Sequence, residues 1–140
     1  MARDEKLDLL HSVPLFAGLD RRHLERLGML TEEVDVPAGK VLIRQGEQGD
    51  DLMVIVSGEV RVERNGARLN QLGPNQFFGE IALVAGGPRT ATVTAEAPSR
   101  LLVINRRDFH ALMDEFPDIA VHVLTTLAHR LRELDSTAVH

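Results

Sequence analysis

The chain has 140 residues, 44% of them hydrophobic and 26% charged, with a formal net charge of −5 and no cysteine. That length fits one domain, residues 1–140, with a core of its own. The missing cysteines exclude disulfides, thiolate metal sites and cysteine nucleophiles, and the acidic balance argues against broad nucleic-acid binding, which needs a basic stripe.

Residues 1–32 read as helical. Leu7, Leu9 and Leu10 mark a first helix, and Asp20 is placed to cap a second in which Leu24, Leu27 and Leu30 recur at helical spacing. No apolar run approaches the roughly 18 residues of a membrane span, and Met1-Ala2-Arg3-Asp4-Glu5-Lys6 lacks the apolar core of a signal peptide, so a cytoplasmic protein is expected.

Residues 33–105 change texture to short β-rich runs punctuated by turn signals: Pro37-Ala38-Gly39-Lys40, the two-residue hairpin pair Asn65-Gly66, and Leu72-Gly73-Pro74-Asn75. Residues 52–56 and 60–62 are expected to form a strand pair around Ser57-Gly58-Glu59. Many short strands with regular turns point to a β-roll or jelly-roll sandwich. From residue 106 the pattern is helical again, with one short helix over 106–113 and a second that Pro117 opens and that runs to about 135. Ile119, Val123, Leu124, Leu127, Leu131 and Leu134 are expected to share its apolar face. The fold class is therefore mainly β, a sandwich with N-terminal helices and two C-terminal helices.

Residues 78–91 carry the chemistry. They read Phe78-Gly79-Glu80-Ile81-Ala82-Leu83, a short linker, then Pro88-Arg89-Thr90-Ala91. Gly79 lets the backbone approach a ligand, and the amides of residues 80–83 at a helix start suit a phosphate. Arg89 adds a permanent positive charge on a planar fork of donors. A carboxylate beside an anion site makes sense if it accepts from a sugar hydroxyl, because an ionised carboxylate only accepts; that assigns Glu80 to a ribose and the whole turn to a nucleotide. The competing reading, a salt bridge between Glu80 and Arg89 across a turn, explains neither the glycine nor the apolar helix turn.

At these residues the chain resembles the cyclic nucleotide-binding domain family, whose phosphate-binding cassette runs Phe-Gly-Glu-hydrophobic-Ala-Leu, a linker, then Pro-Arg-Thr/Ser/Ala-Ala. Val13-Pro14-Leu15-Phe16 also resembles the segment that leads into that domain. The resemblance implies that Glu80 holds the ribose 2′-hydroxyl and Arg89 the cyclic phosphate. Gly79, Ile81 and Ala82 would contribute backbone, and Thr90 and Ala91 would lie beside the phosphate or base. It further implies that Val62 and Leu69 flank the base, with Val93 a further wall. The last helix would close the site through Arg130 and Leu134, Arg132 competing for that role.

The ligand implied is cyclic AMP rather than cyclic GMP, with no catalytic cofactor. The function implied is a regulatory module in which ligand binding repositions the C-terminal helix. That helix is a candidate homodimer surface, and with so few residues after it no helix-turn-helix and no direct DNA binding are expected. The alternative is a scaffold of the same fold that binds no nucleotide. Enzyme readings fall away because His11, His23, His110, His122, His129 and His140 all lie in expected helices, loops or the tail. His129 and Glu133 share a helix face but make too few ligands for zinc.

Overall fold

The structure, a computed structural model, describes residues 1–138, with side chains through residue 129 and at residue 132. Three helical elements precede the sheets: α1 (Arg3–Ser12), a 3₁₀ turn (Pro14–Phe16) and α2 (Arg21–Leu30). Asp20 caps α2 as expected, accepting from the His23 amide at 2.9 Å.

The strands are β1 (Glu32–Val36), β2 (Val41–Ile43), β3 (Asp51–Ser57), β4 (Val60–Arg64), β5 (Ala67–Leu72), β6 (Phe77–Phe78), β7 (Thr92–Ala95) and β8 (Ser99–Asn105). They form two four-stranded antiparallel sheets, ordered β1-β8-β3-β6 and β2-β7-β4-β5. The short helix α3 (Glu80–Val84) interrupts them, and α4 (Arg106–Glu115) and α5 (Pro117–Ala138) follow. Asn105 caps α4 by accepting from the Asp108 amide at 2.8 Å, and Pro117 is the first residue of α5, where its missing N–H costs nothing.

The Asn65-Gly66 hairpin forms as its sequence dictates, with both residues at positive φ (53° and 79°) joining β4 to β5. The expected pairing of residues 52–56 with 60–62 does not form. β3 bonds to β6 and β8, β4 bonds to β5 and β7, and the turn at Gly58 carries the chain from one sheet to the other. A short turn between two apolar runs is equally compatible with a hairpin or a sheet-to-sheet crossing. Here both faces of β3 need apolar cover, which a crossing provides.

That double burial is visible along β3 and β8. Leu52, Val54, Leu102 and Ile104 face a core shared with the helices, while Met53, Ile55 and Leu101 face the space between the sheets with Val60, Phe78 and Val93. Alternating side chains point to opposite faces, so a strand covered on both sides reads as a continuous apolar run. Phe16 and Phe109 anchor the helical core, both fully buried with ring centroids 5.7 Å apart. On α5, Ile119 and Val123 are buried, but Leu124 is 63% exposed and does not belong to the inward face. Position 124 lies one residue past the buried stripe of 119, 123 and 127, and a 3.6-residue period turns it outward. Gly18 donates its amide to His122 Nε2 at 3.0 Å, tying the N-terminal segment to the start of α5.

Candidate functional site

The cassette begins where β6 ends. Gly79 takes φ 89°, reversing the chain so that α3 starts at once, and a Cβ there would lie 2.5 Å from the Asp51 carbonyl oxygen and 2.8 Å from Arg89 Nη1. The first-turn amides of Glu80, Ile81 and Ala82 have no preceding helical carbonyl to bond and point off the N-terminal end of α3. The other end of α3 is held by α4: Arg106 Nη1 donates to the Ala85 carbonyl at 3.1 Å, and His110 Nε2 donates to that of Val84 at 3.1 Å. Donors at a helix C-terminus satisfy carbonyls that the helix leaves open.

Arg89 is positioned by the loop between β2 and β3. Its amide donates to the Glu47 carbonyl at 2.8 Å, its carbonyl accepts from the Gly46 amide at 2.8 Å, and Gly49 bonds the Gly87 carbonyl at 3.1 Å. The side chain is only 8% exposed and threads past Gly49, where any Cβ would overlap Nε. Nη1 donates to the Asp51 carbonyl oxygen at 3.1 Å.

Burial pushes the Arg89 pKa down, partly offset by the nearby charges of Asp51 and Asp50. Burial also pushes the Asp51 carboxyl up, and repulsion from Asp50 adds to this, with Arg89 opposing it. Desolvation outweighs attraction on both sides because the guanidinium bonds the backbone of Asp51 rather than its carboxylate. An arginine nevertheless stays protonated, so the site holds a buried, rigid, permanent cation.

A cavity of about 410 Å³ opens above this cation. Gly79, Glu80, Ile81 and Ala82 line it from α3, Arg89, Thr90 and Ala91 from the strand entry, and Val62 and Val93 from the sheet. Glu80 is half-buried with Oε2 shielded from solvent. Leu69 is placed elsewhere: it is 51% exposed on the edge strand β5 and is not among the lining residues. Val62 pairs with Asn70 and Glu63 with Arg68, so Leu69 is the extra residue of a bulge, a feature that residue spacing does not reveal. The expected cap residues Arg130 and Leu134 lie outside the described side chains, and Arg132 is exposed.

Gly49, Ile43, Phe77 and Arg64 belong to the site region without having been singled out from sequence. The signal for Gly49 was present in the glycine-rich 46–49 loop, but nothing local says that the loop packs on residue 89. A larger cleft, about 550 Å³, lies between α1 and α2. Its three arginines are exposed and already engaged, Arg3 with Glu25 at 3.1 Å, Arg26 with Glu115 at 2.5 Å and Arg22 over the Phe116 ring at 5.1 Å, so none of them matches the buried cation of the cassette.

Comparison with known proteins adds independent support. The family model for the cyclic nucleotide-binding domain matches residues 33–116. A cyclic nucleotide-gated potassium channel of Mesorhizobium japonicum is 40% identical over 112 residues, covering 80% of this chain and 31% of the channel. A CRP-like cAMP-activated global transcriptional regulator of Mycobacterium tuberculosis is 29% identical over 134 residues, 92% of this chain and 60% of the regulator. The chain thus spans about a third of the channel and three fifths of the regulator. Among solved structures, the N-terminal domain of a Streptomyces coelicolor transcriptional regulator superposes with a TM-score of 0.89 at 33% identity, covering 95% of this chain and 96% of that one. The regulatory domain of Toxoplasma gondii PKA, crystallised with cAMP, superposes with a TM-score of 0.73 at 30% identity, covering 80% of this chain and 46% of that one. The family match, the two-sheet fold and the glycine-seated cassette agree, and the chain belongs to the cyclic nucleotide-binding domain family.

Proposed function

We propose that this chain binds a cyclic nucleotide, cyclic AMP in preference to cyclic GMP, and acts as a regulatory module whose output is a change in the position of α5. The observation that carries the reading is Arg89: a nine-tenths buried guanidinium, seated on two glycines, at the base of a cavity that also holds Glu80 and the N-terminal amides of α3. Burying a charge is costly and is compensated when an anion arrives to pair with it. Arg89 takes the cyclic phosphate with the α3 amides, Glu80 accepts from the ribose 2′-hydroxyl, and Val62 and Val93 face the base.

The preference for cyclic AMP rests on relatives described as cAMP-activated or crystallised with cAMP. The bonds of Arg106 and His110 to the C-terminal carbonyls of α3 support the regulatory reading, since they connect a ligand seated at one end of α3 to α4, which packs on α5. Ligand shifts that arrangement only through unequal affinity for its alternatives. Calorimetric titration with cyclic AMP and cyclic GMP tests the reading. The wild-type chain is expected to bind cyclic AMP more tightly, and Arg89→Ala to lose on the order of 2–5 kcal/mol. A wild-type chain that binds neither nucleotide is instead a scaffold of the same fold.

A further inference from the structure

We infer that Arg64 is a second ligand-contacting arginine of this cavity, meeting the phosphate from the solvent side while Arg89 holds it from within. The inference rests on the nucleotide reading above and extends it to a residue outside the cassette. Arg64 ends β4, two residues beyond Val62, so both side chains leave the same face of the strand, and both line the cavity.

The other arginines of the two sheets are occupied with carboxylates: Arg61 with Glu63, Arg68 with Glu96 at 2.6 Å, and Arg100 with Asp35 at 2.8 Å. Arg64 differs. Among the described residues its side chain enters no ion pair, and its bond runs from Nε to the Thr90 carbonyl at 3.0 Å. A guanidinium has five N–H donors, so this bond fixes its plane and leaves both Nη groups to a ligand.

The partner on which Arg64 rests decides which part of the ligand it meets. Thr90 directly follows Arg89, so the two arginines flank one stretch of chain, with the Arg89 side chain inside and the Arg64 side chain exposed. The hairpin that carries Arg64 is braced: Gln45 donates through Nε2 to Asn65 Oδ1 at 2.8 Å, and its own Oε1 accepts from the Asn65 amide at 2.8 Å. Its backbone amide also donates to Thr92 Oγ1 at 3.0 Å. Arg64 therefore stands on a fixed strand end rather than on a loose loop. Among the described residues, the charged side chains that line the cavity include Arg64 beside the buried Arg89, so a second cation faces the space that a phosphate would enter.

Titration of the whole chain with cyclic AMP at low and high salt tests this, comparing wild type, Arg64→Gln and Arg64→Lys. An exposed charge contact predicts a loss of about three- to fivefold in affinity for Arg64→Gln at low salt, shrinking at high salt as the charges are screened. Arg64→Lys is expected to keep the salt dependence of the wild type. Equal affinity of Arg64→Gln and wild type at low salt overturns the inference. So does a loss that is the same at both salt concentrations, because it places the effect in the Thr90 carbonyl bond rather than in charge. Failure of the wild-type chain to bind either cyclic nucleotide overturns the parent reading and this one with it, whereas tight binding with an indifferent Arg64 overturns this one alone.

Discussion

Gly49→Ala tests the seat of the cation without touching any residue that faces the ligand. Gly49 does not occupy the left-handed region, so its backbone accepts alanine and the constraint is steric alone. The added Cβ would lie 1.8 Å from Arg89 Nε, 2.3 Å from Cζ and 2.5 Å from Cδ, so it and the side chain cannot share the slot. The guanidinium must therefore leave its slot and give up the 3.1 Å bond to Asp51. In the free protein this costs little: about 1.5–3 kcal/mol for one charge-assisted hydrogen bond, offset by the hydration regained as the charge moves outward. In the complex the phosphate loses its partner, on the order of 2–5 kcal/mol, or roughly 30-fold to several thousand-fold in Kd. The expected signature is a large loss of cyclic AMP affinity by calorimetry with a small change in Tm. Wild-type affinity in Gly49→Ala would refute the placement of Arg89 as the phosphate anchor. A collapse of Tm with proportionate loss of binding would show that the loop is needed for folding instead.

Glu80→Gln is expected to reduce the preference for cyclic AMP over its 2′-deoxy analogue without abolishing it, since an amide oxygen still accepts from the hydroxyl but less strongly than a carboxylate; undiminished discrimination in paired titrations removes Glu80 from the ribose. Asp51→Asn reports through pH. A carboxyl whose folded pKa is raised favours the protonated state in the fold, so its ionised form lowers stability at neutral pH and the deficit fades as pH falls through the folded pKa towards 3.8. Asp51→Asn should therefore raise Tm near neutral pH, with the gain shrinking as the pH is lowered into the carboxylate range; a gain that is constant with pH assigns the effect to something other than ionisation.

The cassette was legible in the sequence because its parts are contiguous. Gly79, the first turn of α3 and the Pro88-Arg89-Thr90-Ala91 entry to β7 lie within fourteen positions, and each residue type has a local chemical reason to be there. Local signals also fixed the helix starts at Asp20 and Pro117 and the hairpin at Asn65-Gly66. Expectations failed where contacts are long-range. Leu69, assigned to the base by the family resemblance, is displaced by a bulge that only the β4 partner defines, and Leu124 matched the apolar composition of α5 but not its angular phase.

Sequence alone thus determined which residues have the chemistry for an anion, a ribose and an apolar base, and that a strand-rich frame carries them. Tertiary structure decided how that chemistry is presented. Whether residues 57–59 close a hairpin or cross between sheets depends on which faces of β3 need cover, and that is a property of the assembled core. Whether Arg89 is a solvated surface charge or a buried one depends on a loop forty residues earlier, where Gly49 leaves room for the guanidinium to lie flat. Non-local packing of this kind has no residue-level signature, because a glycine written for close approach and a glycine written for a turn are the same letter.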